Sequence, residues 1–329
     1  MSIGHYRPSL CPVKERMARP ALSAARAVEV INFLAAHPNE AFTLSDLVDR
    51  LGINVASLHA VLSVLTERAY LSRHPRHLTY TLGPTLVAVG TAALEHHPAI
   101  DVAREEAKAL SERLDLDVAV TALAGDDVVF VARSGGHRPL GTPTHVGMRT
   151  PIRAPMGSIF YAWADDEAVE AWLERSGPAT AEEVALDRAE LDVVRARGFS
   201  VALEGAARRE LGTALEQVAD RPRVRGQLDE LVRRTAGRSA HLIDIDEEAS
   251  YTVSSISAPV FNAAAQVALA INVVGLSPGT SGVDVLSYGE EVLGTALVVS
   301  KRTRGNPPPD LLARAARDRR PAREHAGRR

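Results

Sequence analysis

The sequence predicts an α+β protein with an N-terminal winged helix-turn-helix. Residues 43–82 set two capped helical patterns on either side of Gly52 and follow them with two short extended runs. From residue 99 onward, helical periodicity and β-rich alternation are mixed. With 329 residues, 46% of them hydrophobic and 24% charged, the chain can bury two cores.

Taken in order, residues 1–19 read as a flexible arm and 21–37 as an amphipathic helix with Leu22, Val28, Ile31, Phe33 and Leu34 as apolar positions. The DNA-binding head is expected over 20–83. Thr43 can cap the next helix with Asp46 three residues on, and Gly52 suits the sharp turn that leaves it. Asn54 stands where the second helix must begin. Leu58, Val61, Leu62 and Leu65 then follow i, i+3, i+4, i+7 and form the packing face. At 100° per residue the opposite face carries Ala56, His59, Ala60, Ser63 and Glu67, groups small or polar enough to lie against a groove wall. Runs at 70–73 and 78–82 form the wing, and the loop residues Arg73, His74, Arg76 and His77 are the expected phosphate contacts. An ordinary helical hairpin with a solvated basic loop is the bland alternative.

Charge agrees with this division. Net charge is −3, which excludes a generally basic nucleic-acid coat. Residues 1–90 hold nine Lys or Arg against six acids, a balance of +3, so the remainder carries −6. Cys11 is the only cysteine, which leaves no disulfide framework and no thiolate metal cage and fits a reducing cytoplasm. The first nineteen residues do not read as a secretory signal, and no apolar run is long enough to span a membrane. No cofactor or metal is expected.

After Gly83-Pro84 a linker helix is expected within 84–98, stopped by His96-His97-Pro98. Its apolar Leu86, Val89 and Leu94 can pack on the same helix of a second subunit or within their own chain. The second domain, 99–302, opens with a helix at 99–114. Runs at 117–123 and 128–133, joined by Ala124-Gly125-Asp126-Asp127, give a hairpin. Helices are expected at 159–173, 181–197 and 285–302, and strands at 252–256, 258–261 and 265–274. Such a sheet suits a small-molecule pocket. Residues 206–239 look like one or two added helices, and 303–329, with three successive prolines and many arginines, like a disordered basic tail.

Six ordered blocks, RAVEVINFLAAHP, FTLSDLVDRLGINVASLHAVLSVLTERAYL, YTLGPTLVAVG, PIRAPMGSIFYAW, GFSVALE and SSISAPVFNAAAQVALAINVVG, make residues 20–300 resemble the isocitrate lyase regulator (IclR) family of bacterial transcription factors. The resemblance implies a regulator, repressor or activator, that binds double-stranded operator DNA as a homodimer or tetramer. It also implies a C-terminal GAF-like domain that binds a small metabolite and thereby alters operator binding. Carried over residue by residue, the effector site is Met148, Gly157, Ser158, Asp246, Ser255, Asn272 and Val274. Asn272 and Val274 share a strand face by the two-residue period. Ser158, at a helix start after Gly157, could offer backbone N–H groups to a carboxylate. Arg149 and Arg153 would suit a carboxylated effector, or are surface arginines.

Two departures bear on function. The family usually has an arginine directly after the recognition-helix histidine, whereas here Ala60 follows His59. Base reading is therefore expected to shift to His59, Ser57, Ser63 and Asn54, to thymine methyls, and to groove shape read by wing or arm arginines. The insertion at 206–239 separates GFSVALE from the acidic run 244–248, so either Glu204 or Asp246 can hold the family's acidic position.

Other classes fit less well. Gly275-Leu276-Ser277-Pro278-Gly279 formally matches a serine-hydrolase elbow, but the oxyanion hole needs the N–H of the residue after the serine, and Pro278 has none. His74 and His77 have a metal-like spacing without a cysteine or acidic partner. A ligand-binding or protein-interaction protein with a degenerate head is the main alternative, suggested by Ala60 and Glu67 on the outward face.

Overall fold

A computed structural model describes residues 21–136, 146–177, 179–204 and 242–318. The N-terminal arm and the insertion at 206–239 lie outside the described residues. The head comprises α1 (Leu22–Ala36), α2 (Leu44–Leu51), α3 (Val55–Glu67) and a two-stranded wing, β1 (Leu71–Arg73) with β2 (Tyr80–Leu82). Thr43 and Asp46 form a reciprocal capping box at α2, and Gly52 takes the left-handed conformation that ends it, φ 68°. Leu47, Leu58 and Leu62 are fully buried beneath α1, where Val30, Phe33 and Leu34 close the core and Phe42 meets Phe33 edge-on at 4.9 Å. The wing strands are a little shorter than their sequence runs. Ala69 and Leu78 both adopt positive φ, so the chain turns there before pairing begins. Gly83 follows the wing because a Cβ would stand 2.3 Å from the Ala69 carbonyl oxygen.

Helices α4 (Pro84–His96) and α5 (Pro98–Leu114) lead to a six-stranded antiparallel sheet of order β5-β4-β3-β9-β8-β6. Its strands are β3 (Asp117–Ala124), β4 (Asp127–Ser134), β5 (Arg149–Pro151), β6 (Ser200–Leu203), β8 (Val253–Phe261) and β9 (Val267–Val274). A small separate ribbon pairs β7 (Ser250–Tyr251) with β10 (Thr280–Ser281). On one face, α5 and α9 (Gly282–Arg302) cover Val118, Val120, Ile256, Ala258, Ile271 and Val273. On the other, α6 (Ser158–Tyr161), α7 (Asp166–Glu174) and α8 (Ala181–Arg197) enclose a second core around Trp172, Phe160 and Ala270.

Four expectations change. The helix expected over 159–173 is two helices, because the Asp165 side chain accepts the Ala168 N–H at 2.8 Å and starts α7 afresh. The strands expected at 252–256 and 258–261 are one strand, β8. Pro259 is tolerated there because β8 runs past the end of β6, leaving a local edge where a missing N–H is acceptable. The helix expected at 285–302 begins at Gly282, capped by Ser281. The tail expected to be disordered from 303 instead forms α10 (Pro309–Asp318). Leu311 is 1% exposed, Arg314 pairs with Glu290 at 2.7 Å and also donates to the Ala196 carbonyl, so apolar burial and charge-assisted bonds hold the helix down. Residues beyond 318 lie outside the described residues.

Candidate nucleic-acid interface and effector face

Helix α3 divides cleanly. Leu58, Val61, Leu62 and Leu65 are buried, while Val55, Ala56, His59, Ala60, Ser63, Val64 and Glu67 are exposed. Of the expected base readers, His59 and Ser63 stand on the exposed side. Asn54 is also exposed, but its Oδ1 accepts the Ser57 N–H at 2.9 Å, so the carboxamide oxygen and that amide are committed to starting the helix. Ser57 itself is half-buried.

The wing presents Arg73, His74, Arg76 and His77 to solvent. Arg73 sits across from Tyr80 and lays its guanidinium 5.6 Å from that ring, which restrains it. His74 holds the tip together: its Nδ1 accepts from the backbone N–H of Arg76 (3.3 Å) and of His77 (3.1 Å), and the His74 and His77 rings lie 4.6 Å apart. That is the chemistry of a turn. Among the described residues no group of three or more His, Cys, Asp or Glu could hold a metal ion.

On the sheet, antiparallel register decides which side chains share a face. Ser255 lies opposite Val274, Ser257 opposite Asn272, and Asn272 opposite Ala119. These positions alternate with Ile256, Ile271, Val273 and Val118, which face α5 and α9, so Ser255, Asn272 and Val274 belong to the α6 side. Gly157 and Ser158 open α6, which packs on β9 over the same face. Met148, 5% exposed, lies just before β5 with its carbonyl accepting the Phe130 N–H at 3.0 Å, toward the far edge of the sheet from Ser255.

Within this group the polar atoms are heavily engaged. The two N–H groups of Asn272 Nδ2 are shared among the carbonyls of Ala119 (3.1 Å) and Ala270 (3.1 Å) and Thr121 Oγ1 (3.0 Å), stitching β9 to β3. Gly157 is required by φ 86° and by Ile152, whose side chain would lie 2.4 Å from a Cβ. The Ser158 N–H donates to the Pro155 carbonyl at 3.3 Å, so it is not the open anion donor that the sequence suggested. Asp246 stands apart: it is exposed, its Oδ1 accepts the Glu248 N–H at 2.9 Å, and its backbone N–H donates to Tyr251 Oη. Glu204 is half-buried, with its N–H on the Thr252 carbonyl.

Arg149 and Arg153 are both engaged by the protein itself. Arg149 Nε donates to the buried Asp127 carboxylate at 2.9 Å and Nη2 to the Ala124 carbonyl at 2.9 Å, while Arg153 donates to the Arg175 carbonyl. The arginine on the sheet face beneath α6 is one that sequence reasoning missed. Arg133 lies opposite Ala119 and pairs with Asp117 at 2.8 Å, both largely buried. A bulge between Val120 and Thr121 shifts the β3–β4 register, and no local pattern advertises that step.

Residues 23–75 match the IclR helix-turn-helix domain, and residues 91–208 match the bacterial transcriptional regulator IclR C-terminal domain, together more than half of the chain. The chain belongs to the IclR family. Among curated relatives, the HTH-type transcriptional regulator KipR of Bacillus subtilis is 22% identical over 281 residues, covering 85% of this chain and 96% of that one. XynR of Escherichia coli is 26% identical over 157 residues, covering 46% of this chain and 60% of its own length. Among solved structures, an IclR regulator from Alicyclobacillus acidocaldarius superposes with a TM-score of 0.59 at 20% identity, covering 87% of this chain and all of that one. An IclR homologue from Microbacterium hydrocarbonoxydans complexed with 4-hydroxybenzoate gives 0.57 at 18%, covering 88% and 99%. The fold is thus that of IclR regulators: a helix-turn-helix head followed by a curled antiparallel sheet with helices on both faces.

Ser277 sits in the loop between β9 and β10, where its carbonyl accepts from Thr280 Oγ1 at 2.7 Å, a turn contact. No single helix among the described residues is long and apolar enough to cross a membrane.

Proposed function

We propose that this protein is a cytoplasmic, sequence-specific DNA-binding regulator whose C-terminal domain senses a small metabolite and changes operator affinity. The observation that carries the DNA half is the juxtaposition of the exposed side of α3, bearing His59 and Ser63, with a wing bearing Arg73, Arg76 and His77. The wing cations position the head on phosphates and α3 lies toward the bases.

Pairing of heads is supported by α4. None of its 13 residues is buried, with Val87 71% and Val89 47% exposed, and a helix of that length is marginal in water without a packing partner. A second copy of α4 supplies one, giving a homodimer with two heads. The effector face is supported by the placement of Gly157, Ser158, Ser255, Asn272 and Val274 on one side of the sheet. The 4-hydroxybenzoate bound to the Microbacterium homologue favours a small carboxylated effector.

Selection of bound fragments from random duplex DNA at moderate salt, using the full-length protein, tests the reading. A recovered motif with paired half-sites supports it and provides a probe for effector screening. An effector must bind the DNA-bound and DNA-free forms with different affinity; one that binds both equally regulates nothing. The cation-poor outward face of α3, with Ala60 and Glu67, favours a second reading in which the head has lost specific recognition. Recovery of only weak, salt-sensitive binding without a motif would establish that one instead.

A further inference from the structure

Helix α3 contains no lysine, arginine or glutamine, and the carboxamide oxygen of Asn54 at its start is held by the Ser57 N–H at 2.9 Å. The bidentate partners that read guanine and adenine are therefore missing from its exposed side. What that side does present is an apolar stripe. Ala56, Ala60 and Val64 recur every four residues and all are exposed, Val64 by 58%, and Val55 in the first turn is 56% exposed. Residues four apart lie one above another on a helix, so the three form a continuous strip flanked by His59 and Ser63. In a monomeric head these side chains gain nothing from exposure, whereas the C5-methyl of thymine is the apolar mark in the major groove that such a strip complements.

We infer that α3 reads its half-site chiefly through thymine methyl groups, contacted by Val55, Ala56 and Ala60 in its first two turns, with Val64 extending the strip and His59 as the main polar reader. The inference rests on the DNA-binding reading above and specifies how that face recognises sequence. It makes each half-site rich in thymine at the positions facing α3, and indifferent to changes that keep a methyl at the same place.

The experiment uses the duplex recovered by selection, resynthesised with deoxyuridine replacing one thymine at a time, which deletes the methyl and leaves every hydrogen-bonding group. Affinity of the full-length protein is measured at fixed salt. Loss of one buried methyl is expected to weaken binding about fourfold, the effect of exposing one such group, at two or more thymines per half-site. Ala60→Ser and Val55→Ser should each abolish the sensitivity at one of those thymines while leaving the salt dependence unchanged. Specific binding that ignores every deoxyuridine replacement would overturn the inference while leaving the regulator reading standing. Absence of specific binding to any duplex would overturn both.

Discussion

The head and the sheet domain handle their polar groups in opposite ways. In the head, packing and recognition use different residues. Leu58 and Leu62 face inward, His59 and Ser63 outward, and the outward ones are exposed. In the sheet domain the residues proposed for the effector site already have structural work: Asn272 crosslinks two strands, Gly157 fits under Ile152, and Met148 carries part of the β4 ladder on its carbonyl. The difference teaches where substitution separates stability from function. On α3 it should, and around Asn272 it should not.

The strongest way to break this comparison is Leu62→Ala, which empties a fully buried site. It should cost about 2–5 kcal/mol, seen as faster amide exchange throughout the head with exchange in the sheet domain unchanged. Acceleration in both would mean that the two regions are not energetically separate. Gly157→Ala comes next, because it combines a positive φ with a clash against Ile152. A loss of about 1–3 kcal/mol is expected from strain and overpacking, and it should lower effector affinity at the same time. A destabilised variant with unaltered effector binding would remove Gly157 from the site.

Asn54→Ala should cost about 1 kcal/mol of head stability through the lost cap. Because its oxygen is already committed, the preference among DNA sequences should be retained; a changed motif would restore Asn54 as a base reader. Arg76→Ala should weaken binding to all sequences alike and flatten the slope of log affinity against log salt by about 0.9 for one lost phosphate contact. An unchanged slope would remove Arg76 from the phosphate contacts.

The smallest effect concerns acid. The Thr43 hydroxyl and N–H, both donating to the Asp46 carboxylate, hold its pKa below the ordinary carboxylate value. A carboxyl lowered on folding contributes stability above its unfolded pKa and loses it as pH falls through the folded one. The stability difference between wild type and Asp46→Asn should therefore be present near neutrality and shrink below about pH 4, measured by urea unfolding at a series of pH values. A difference that is constant with pH would assign the effect to helix geometry alone.

The contrast also explains what was legible in the sequence. The head could be read almost residue by residue, because Thr43, Gly52 and Asn54 act on neighbours three or four positions away and periodicity separates the two faces. The sheet domain yielded its elements but not its bonds. Arg149 looked available and is held by Asp127, while Arg133 attracted no notice and lies beside Asn272's strand partner. Both outcomes depend on register, including a one-residue bulge, that no short-range pattern encodes. Asp165, which divides α6 from α7, could have been found by its capping spacing. The anchoring of α10 could not, because Leu311 and Arg314 find their partners on α8 and α9 far away in sequence.

The amide of Asn272, whose two N–H groups are shared among three acceptors, has one more consequence. A side chain normally loses rotational freedom when a small molecule docks against it, and that loss subtracts from affinity. Here the freedom is already gone, removed when β3 and β9 came together, and the amide keeps one orientation whether or not anything is bound. If the proposed effector docks on this face, it meets a rigid floor, and adaptation to ligands of different outline falls to the elements that roof it.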